Sequence, residues 1–404
     1  MKKSLIALAI ASAVSAPAFA ATSNVDVYGI MSFSVDHIDT NEAGDSKDLN
    51  TGKDNASRIG FKGSEDLGGG LKAIWQVEMQ LNANNDDGIS VSTAPVVTGI
   101  TSTGTGVVTN VGTNGTGLVT TVGNGYAVTG VYAINGNAVT SVSATGNMAY
   151  RNTFVGLSSD TLGTVILGRH DTPYKMATSA LDPFADTIGD YNAIVGQTNA
   201  GGNLFDLRVS GTVAYVSPSF SGLSFAAAYV QPKLNEGANV DEASAWSANG
   251  SYANGPLFAS LAYEEHSGTV AGSSATQTIS AWKAGLGYTF GNTKLGLVYE
   301  SIEHDAASMD ASRDAWYGSV SHTMGAIVLK GAYGQADDGE AAGNTGAKFY
   351  AVGGDYMLSK RSSIYAVYAD VNNDSAATYN MGGYSNTGAG LDTTGFSLGI
   401  KHSF

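Results

Sequence analysis

Cysteine is absent from the 404 residues, so no disulfide holds the fold and cohesion must come from backbone hydrogen bonds and packing. Beyond residue 20, no stretch approaches the roughly 18 consecutive apolar residues that a membrane helix needs, which excludes a bundle of membrane helices. Basic side chains are scarce, with 20 Lys and Arg against 35 Asp and Glu. So acidic a chain repels polyanions at long range, which excludes nucleic acid as a partner.

Catalytic and cofactor signatures are missing too. There is no HExxH among the six histidines, and no Gly-Lys pair is followed by Ser or Thr. The stretch GLGYTFG at 285–291 lacks the third glycine of a dinucleotide loop at the required spacing. GFSLG at 395–399 fits GxSxG, but a nucleophile elbow needs a turn between strand and helix, and Ser397 sits inside a strand pattern. DVNND at 370–374 lacks the Gly and the distal Glu of a calcium loop. We expect no enzyme, no cofactor and no metal site.

What is present starts with a leader. Residues 1–20 carry Lys2 and Lys3, an apolar run from Leu5 to Val14, and Ala18 and Ala20 around Phe19, the form of a secretory signal and its cleavage site. Its removal leaves 18 basic and 35 acidic side chains, a net charge near −17. From there the chain runs in a two-residue rhythm. VDVYGIMSFSV alternates Val25, Val27, Met31, Phe33 and Val35 with Asp26, Tyr28, Ser32 and Ser34, and LKAIWQVEMQ repeats the pattern. Further copies are LSFAAAYV, LFASLAYEE, KLGLVYE and AIVLKGAY.

Any one of these stretches would suit a soluble exported sandwich. Their number and their connections decide otherwise. Seven connections are tight, at 66–70, 160–163, 218–222, 254–256, 290–292, 324–325 and 358–361. Eight are long and polar, near 39–56, 84–149, 171–207, 232–243, 267–276, 306–312, 339–346 and 371–392. Together they imply sixteen strands, an even number that lets an up-and-down sheet close, with short turns on one side of a membrane and long loops on the other. In lipid, where each unpaired backbone group costs several kcal/mol, a spanning sheet has to close. Tyr229, Tyr263, Tyr299, Tyr333 and Phe404 fall near strand ends, where an interfacial girdle would put them.

Several stretches carry a resemblance: SRIGFKGSEDLGGGLKAIWQVE, NTFVGLSSDTLGTVILGRHDTPYK, VSGTVAYVSPSFSGLSFAAAYV and the terminal GFSLGIKHSF. Together with the first strand, they resemble the general, non-specific trimeric porins of Gram-negative outer membranes. The resemblance spans nearly all of residues 21–404 and is weakest over 88–150. It implies an all-β fold, a transmembrane 16-stranded antiparallel barrel whose third loop folds inward. It also implies a homotrimer in outer-membrane lipid and lipopolysaccharide, and a water-filled channel for passive diffusion of ions and small hydrophilic solutes. A terminal phenylalanine is read in that family by the barrel-assembly machinery, and Phe404 matches it.

By the same resemblance, residues 171–207 are the constriction loop, with Asp171, Asp182, Asp186, Asp190 and Asp206 as its carboxylates and Asp182 and Asp186 favoured by position. The alternative for these aspartates is a solvated loop face. On the wall, Ile59 and Phe61 take the apolar side, which turns Arg58 and Lys62 inward. Arg151 matches the wall arginine before TFVGL, and Arg208 opens an inward set with Ser210 and Thr212. Opposed charges across such a gap would make a transverse field that orients solutes and rejects large apolar ones.

Two features depart from the family. Lysines 283, 294, 330, 348 and 401 are scattered over late strands in a strongly acidic chain, from which we expect a mild cation preference. Residues 88–150 carry no charge, and TGVVTNVGTNG at 105–115 is nearly repeated at 116–125. Their Val, Thr and Gly content predicts short hairpins extending the second external loop. They would either enlarge the contact between subunits or form a surface array. A substrate-selective barrel, for example for oligosaccharides, and an adhesin-like barrel remain the alternatives.

Overall fold

The computed structural model describes residues 24–41, 47–81, 90–97, 116–123, 126–143, 149–198, 203–230, 240–270, 276–304, 312–339, 343–384 and 388–404. The leader at 1–20 lies outside them. Sixteen staves form the wall: β1 (Asn24–Thr40), β2 (Lys47–Asp54 continued by Arg58–Gly68), β3 (Leu71–Gln80), β4 (Ala149–Ser159), β5 (Gly163–Asp171), β6 (Arg208–Val216), β7 (Leu223–Val230), β8 (Val240–Asn254), β9 (Leu257–Val270), β10 (Thr276–Phe290), β11 (Thr293–His304), β12 (Arg313–Met324), β13 (Ile327–Ala336), β14 (Ala347–Met357), β15 (Ser362–Asn373) and β16 (Thr393–Ser403). Each pairs antiparallel with its neighbours in sequence, and β16 pairs back onto β1.

The alternation of side chains is inverted relative to a soluble sheet. On β1, Val25, Val27, Met31 and Val35 are exposed, while Ser32, Ser34 and Asp36 are buried. On β16, Phe396, Leu398 and Ile400 are half exposed, at 50, 52 and 52%, and Ser397 between them is 1% exposed. A sandwich would bury the apolar row, whereas a barrel in lipid exposes it to hydrocarbon. Near the long-loop end of the apolar face, aromatic rings pair across staves: Tyr229 with Trp246 at 4.5 Å, Trp282 with Tyr299 at 5.1 Å and Trp316 with Tyr333 at 5.0 Å. Amphipathic rings at one level mark the boundary between hydrocarbon and headgroups.

The first long connection is shorter than the expected 39–56. Strand β1 continues to Thr40, and Lys47–Asp54 pairs with its upper half, Phe33–Thr40. After a break at 55–57, Arg58–Gly68 pairs with its lower half. Ala56 has φ 55°, and the break is tied down by Ser57 N donating to Asp54 Oδ1 at 2.7 Å and Asn55 N to Ser32 O at 2.8 Å. Two other irregularities matter below: the β3–β4 register shifts between Val77 and Met79, and the β5–β6 register shifts between Val209 and Thr212.

Residues 82–147 form a separate compact unit. There Tyr126–Ser143 pairs over its first half with Thr116–Gly123, as a hairpin, and over its second half with Ser90–Val97.

Closure is completed at the last residue. Phe404 N donates to Gly29 O and Gly29 N to Phe404 O, both at 3.0 Å. The Phe404 ring lies over Gly29, where an added Cβ would also sit 2.6 Å from the Arg58 carbonyl oxygen. Gly29→Ala should therefore force the seam apart at a cost of about 1–3 kcal/mol. Gly250→Ala, at a site with nothing within 4 Å of the new methyl, should be neutral. The check is the temperature at which detergent-folded barrel loses its fast electrophoretic band; equal midpoints would contradict the tight seam.

Candidate functional site

Between β5 and β6 the chain makes a compact loop. It opens with α1 (Pro173–Thr178), started by a proline in its first turn and by Lys175 N donating to Thr172 Oγ1 at 3.3 Å. Single 3-10 turns follow at Ser179–Leu181 and Tyr191–Ala193. Phe184, Ile188, Ile194 and Val195 are fully buried against Val298, Tyr317, Phe349, Ala351 and Val367 of staves β11 to β15. Their strand neighbours Leu297, Tyr299, Trp316, Tyr350 and Val352 are exposed. The loop thus packs on the face of the wall opposite the apolar one.

Two ion pairs with completely buried side chains pin it there. Lys283 of β10 meets Asp206, which also accepts from Tyr191 Oη and, at 3.1 Å, from Asn192 Nδ2. The Lys283 ammonium lies 4.1 Å over the Tyr174 ring. Glu300 of β11 accepts from Arg313 at 2.7 Å, from Tyr174 Oη at 2.8 Å and from Gly196 N at 2.8 Å. Arg313 of β12 donates onward to the carbonyls of Ile194 and Gln197. Sequence reading counted Lys283 among scattered wall lysines and passed over Glu300 and Arg313. The signal existed: the tight turn at 291–292 sets a register in which Lys283 stands directly opposite Glu300.

The predicted site residues divide into two groups. Arg58 reaches the loop, with Nη1 at 3.0 Å from Asp186 Oδ2. Arg151 donates to Glu78 Oε1 at 2.8 Å and Gln80 Oε1 at 3.2 Å, and Glu78 also accepts from Tyr28 Oη at 2.9 Å. Arg208 pairs with Asp171 at 3.0 Å and donates to Asn152 Oδ1 at 2.8 Å. Arg151 also lies within electrostatic reach of Arg208, Arg58 and Asp186. Lys62 lies 5.4 Å over the Tyr28 ring and, among the described residues, has no carboxylate within 4 Å.

Asp171 proves to be the last residue of β5, a wall group. Asp182 does not face the arginines. It is buried, and accepts from Phe184 N at 2.8 Å, Tyr191 N at 3.1 Å and Tyr317 Oη at 3.1 Å. Burial, reinforced by nearby Asp190, pushes its carboxyl well above the usual carboxylate range. Asp190 caps the second 3-10 turn through Asn192 N and holds Asp186 N at 2.9 Å, and burial raises it to about 6. Asp186 keeps its unusual φ of 63° with that help. Ser210 does not continue the set begun by Arg208; the register shift leaves it exposed and accepting from Arg169 at 3.1 Å. Ser397 of β16 donates to buried Asp36 of β1 at 2.6 Å. The cluster therefore offers fixed opposed charges.

A family model described as Gram-negative porin matches residues 7–377. The chain belongs to the Gram-negative porin family. It is an outer-membrane channel for passive diffusion of ions and small hydrophilic solutes. This porin is 28% identical to outer membrane porin protein 32 of Delftia acidovorans over the full length of both chains. It is 23% identical to an outer membrane porin protein of Bordetella pertussis, again over all of both. Among solved structures, an anion-selective porin from Comamonas acidovorans shares the fold with a TM-score of 0.69 at 23% identity, covering 95% of this chain and 100% of that one. OmpT of Vibrio cholerae, solved in a trimer form, matches with a TM-score of 0.59 at 16% identity over 95% and 99%.

Removing one partner of a buried pair leaves an uncompensated charge, at about 3–5 kcal/mol. Lys283→Met should therefore free the loop, read as new protease cleavage within residues 172–207 of the folded barrel, and adding Asp206→Asn should restore most of the protection. A second expectation concerns pH. A carboxyl raised to about 6 binds its proton more tightly in the folded protein than in the unfolded chain. Its contribution to stability is thus present at low pH and is lost as pH rises through 6. As pH falls through 6 the site loses one negative charge, so the reversal potential in a salt gradient should move toward anions, and Asp190→Asn should flatten that step.

Proposed function

We propose that the third loop lies across the lumen and sets its waist, with Asp186 and Arg58 facing each other as the charged gap. The supporting observation is that one short loop is pinned to β10, β11 and β12 by buried ion pairs and also reaches Arg58 on β2. Solutes then pass in single encounters with fixed charges, and discrimination comes from clearance and field with no bond made or broken.

Around this waist Arg58, Lys62, Arg151, Arg208, Lys330 and Lys401 stand against Glu78, Asp171, Asp186, Asp190 and Asp355. Asp182 is buried away from the arginines, with its carboxyl pushed well above the usual range, and Asp206 is matched by Lys283. The local balance is positive, which reverses the mild cation preference expected from overall charge. We read the channel as weakly anion-preferring, in keeping with the anion-selective structural relative. By the same family logic it works as a homotrimer surrounded by lipopolysaccharide, with residues 1–20 as its export leader and Phe404 as the mark recognised by the barrel-assembly machinery. Residues 88–150 extend the second external loop.

The test is a pair of opposite changes in planar bilayers. Arg58→Ser should shift the reversal potential toward cations and Asp186→Asn toward anions, each with altered single-channel conductance. If neither moves it, the waist lies elsewhere.

A further inference from the structure

The last long connection, between β15 and β16, reads in sequence as another polar external loop, yet its middle is fully buried. Ala377, Tyr379 and Met381 are each 0% exposed and belong to one apolar cluster with Ile188, Tyr191, Ile194 and Val195 of the third loop. Gln197 and Asn380 bond reciprocally: Gln197 Nε2 donates to Asn380 O at 3.0 Å, and Asn380 N donates to Gln197 Oε1 at 3.1 Å. At Gly382 the two backbones touch, since a Cβ there would lie 2.5 Å from Thr187 O and 3.5 Å from Asp190 Cβ.

The same segment is anchored on the opposite side. Tyr384 Oη donates to Asp36 Oδ2 of β1 at 2.8 Å, and Lys53 of β2 donates to Gly382 O at 2.7 Å while lying 4.0 Å over the Tyr384 ring. Its base is fixed by Asn373, which accepts from Tyr379 N at 2.9 Å and donates to Leu391 O at 2.8 Å. Residues 377–384 therefore run from β15 over the third loop to β1 and β2.

We propose that residues 377–384 are a second constriction element, a strap that backs the turn carrying Asp186 and occupies part of the opening. The inference rests on the third loop being the waist. The ion pairs at Lys283 and Arg313 hold residues 194–206 of the loop, whereas Thr187 to Asp190, next to Asp186, lean on the strap. Asp190 in turn holds the Asp186 amide. Tyr379, Met381, Gln197 and Tyr384 are thus positioning residues for the Asp186–Arg58 gap, and pore clearance is shared between two loops.

The experiment replaces residues 377–384 with a Gly-Gly link and, separately, makes the milder pair Gln197→Ala and Met381→Ala. Folding is checked by the heat-resistant band. Open-channel current noise and sugar influx into liposomes are measured, with Asp186→Asn made in both backgrounds. The strap predicts noisier openings and a roughly threefold faster influx of a disaccharide, because permeation depends steeply on pore clearance. Putting methionine back at position 381 of the double variant should bring influx back toward the wild-type rate. Unchanged noise and influx in the folded double variant would overturn the strap even if the deletion fails to fold. Loss of the Asp186→Asn effect in the unmodified background would instead count against the waist.

Discussion

An amide or carbonyl left without a partner in hydrocarbon costs several kcal/mol, and a sheet edge presents a whole row of them. This constraint makes the pairing of β1 with β16 the condition for everything else. Eleven residue pairs, from Ile30–Ser403 to Thr40–Thr393, form that seam, and the exchange between Phe404 and Gly29 extends it to the end of the chain. Without Phe404 the Gly29 amide and carbonyl would lose their partners, so Phe404 is part of the seam.

Closure turns the usual economy of a protein inside out. The apolar row faces outward, so the interior combines the apolar cluster under the loop with polar contacts to the wall. Desolvating two charges is costly, and a buried pair is stable only when its remaining hydrogen-bonding capacity is met. Glu300 meets this condition through Arg313, Tyr174 and the Gly196 amide, and Asp206 through Lys283, Tyr191 and Asn192. Lys283–Asp206 joins a wall stave to the loop directly, and Glu300–Arg313 joins two staves that both bond to it. Such networks tolerate few alternative geometries, which fixes the loop on the wall and with it the Asp186–Arg58 pair.

Much of this was legible in the two-residue rhythm. Stave number, the seven tight turns and the inward direction of Arg58 and Lys62 all follow from parity and connection length. Parity fails where the register slips. Counting back from exposed Val155 and Leu157 would put Arg151 on the lipid face, but the shift opposite Val77 and Met79 turns it inward to Glu78. A bulge re-aims a side chain in this way and leaves no clear trace in hydropathy. Loop carboxylates are harder still, because their direction depends on tertiary contacts. Asp182 and Asp186 are equivalent in the sequence DPFAD, yet one is buried under Tyr317 and the other meets Arg58.

In the proposed reading, overall charge and the local balance at the waist differ for a physical reason. At physiological ionic strength exposed charges are screened beyond about 8 Å. The chain's 35 acidic side chains therefore act at the waist only where they lie close to it, and several of those are committed to partners. Burial pushes the Asp182 carboxyl up, and Asp206 faces a lysine with both side chains fully buried. What a passing ion meets is the local set of guanidiniums and ammoniums less their partners. On the reading proposed above, a strongly acidic protein can in this way carry a basic constriction. The field is set by which charges remain exposed to the lumen, and the fold decides this by burying some carboxylates and turning a few arginines inward.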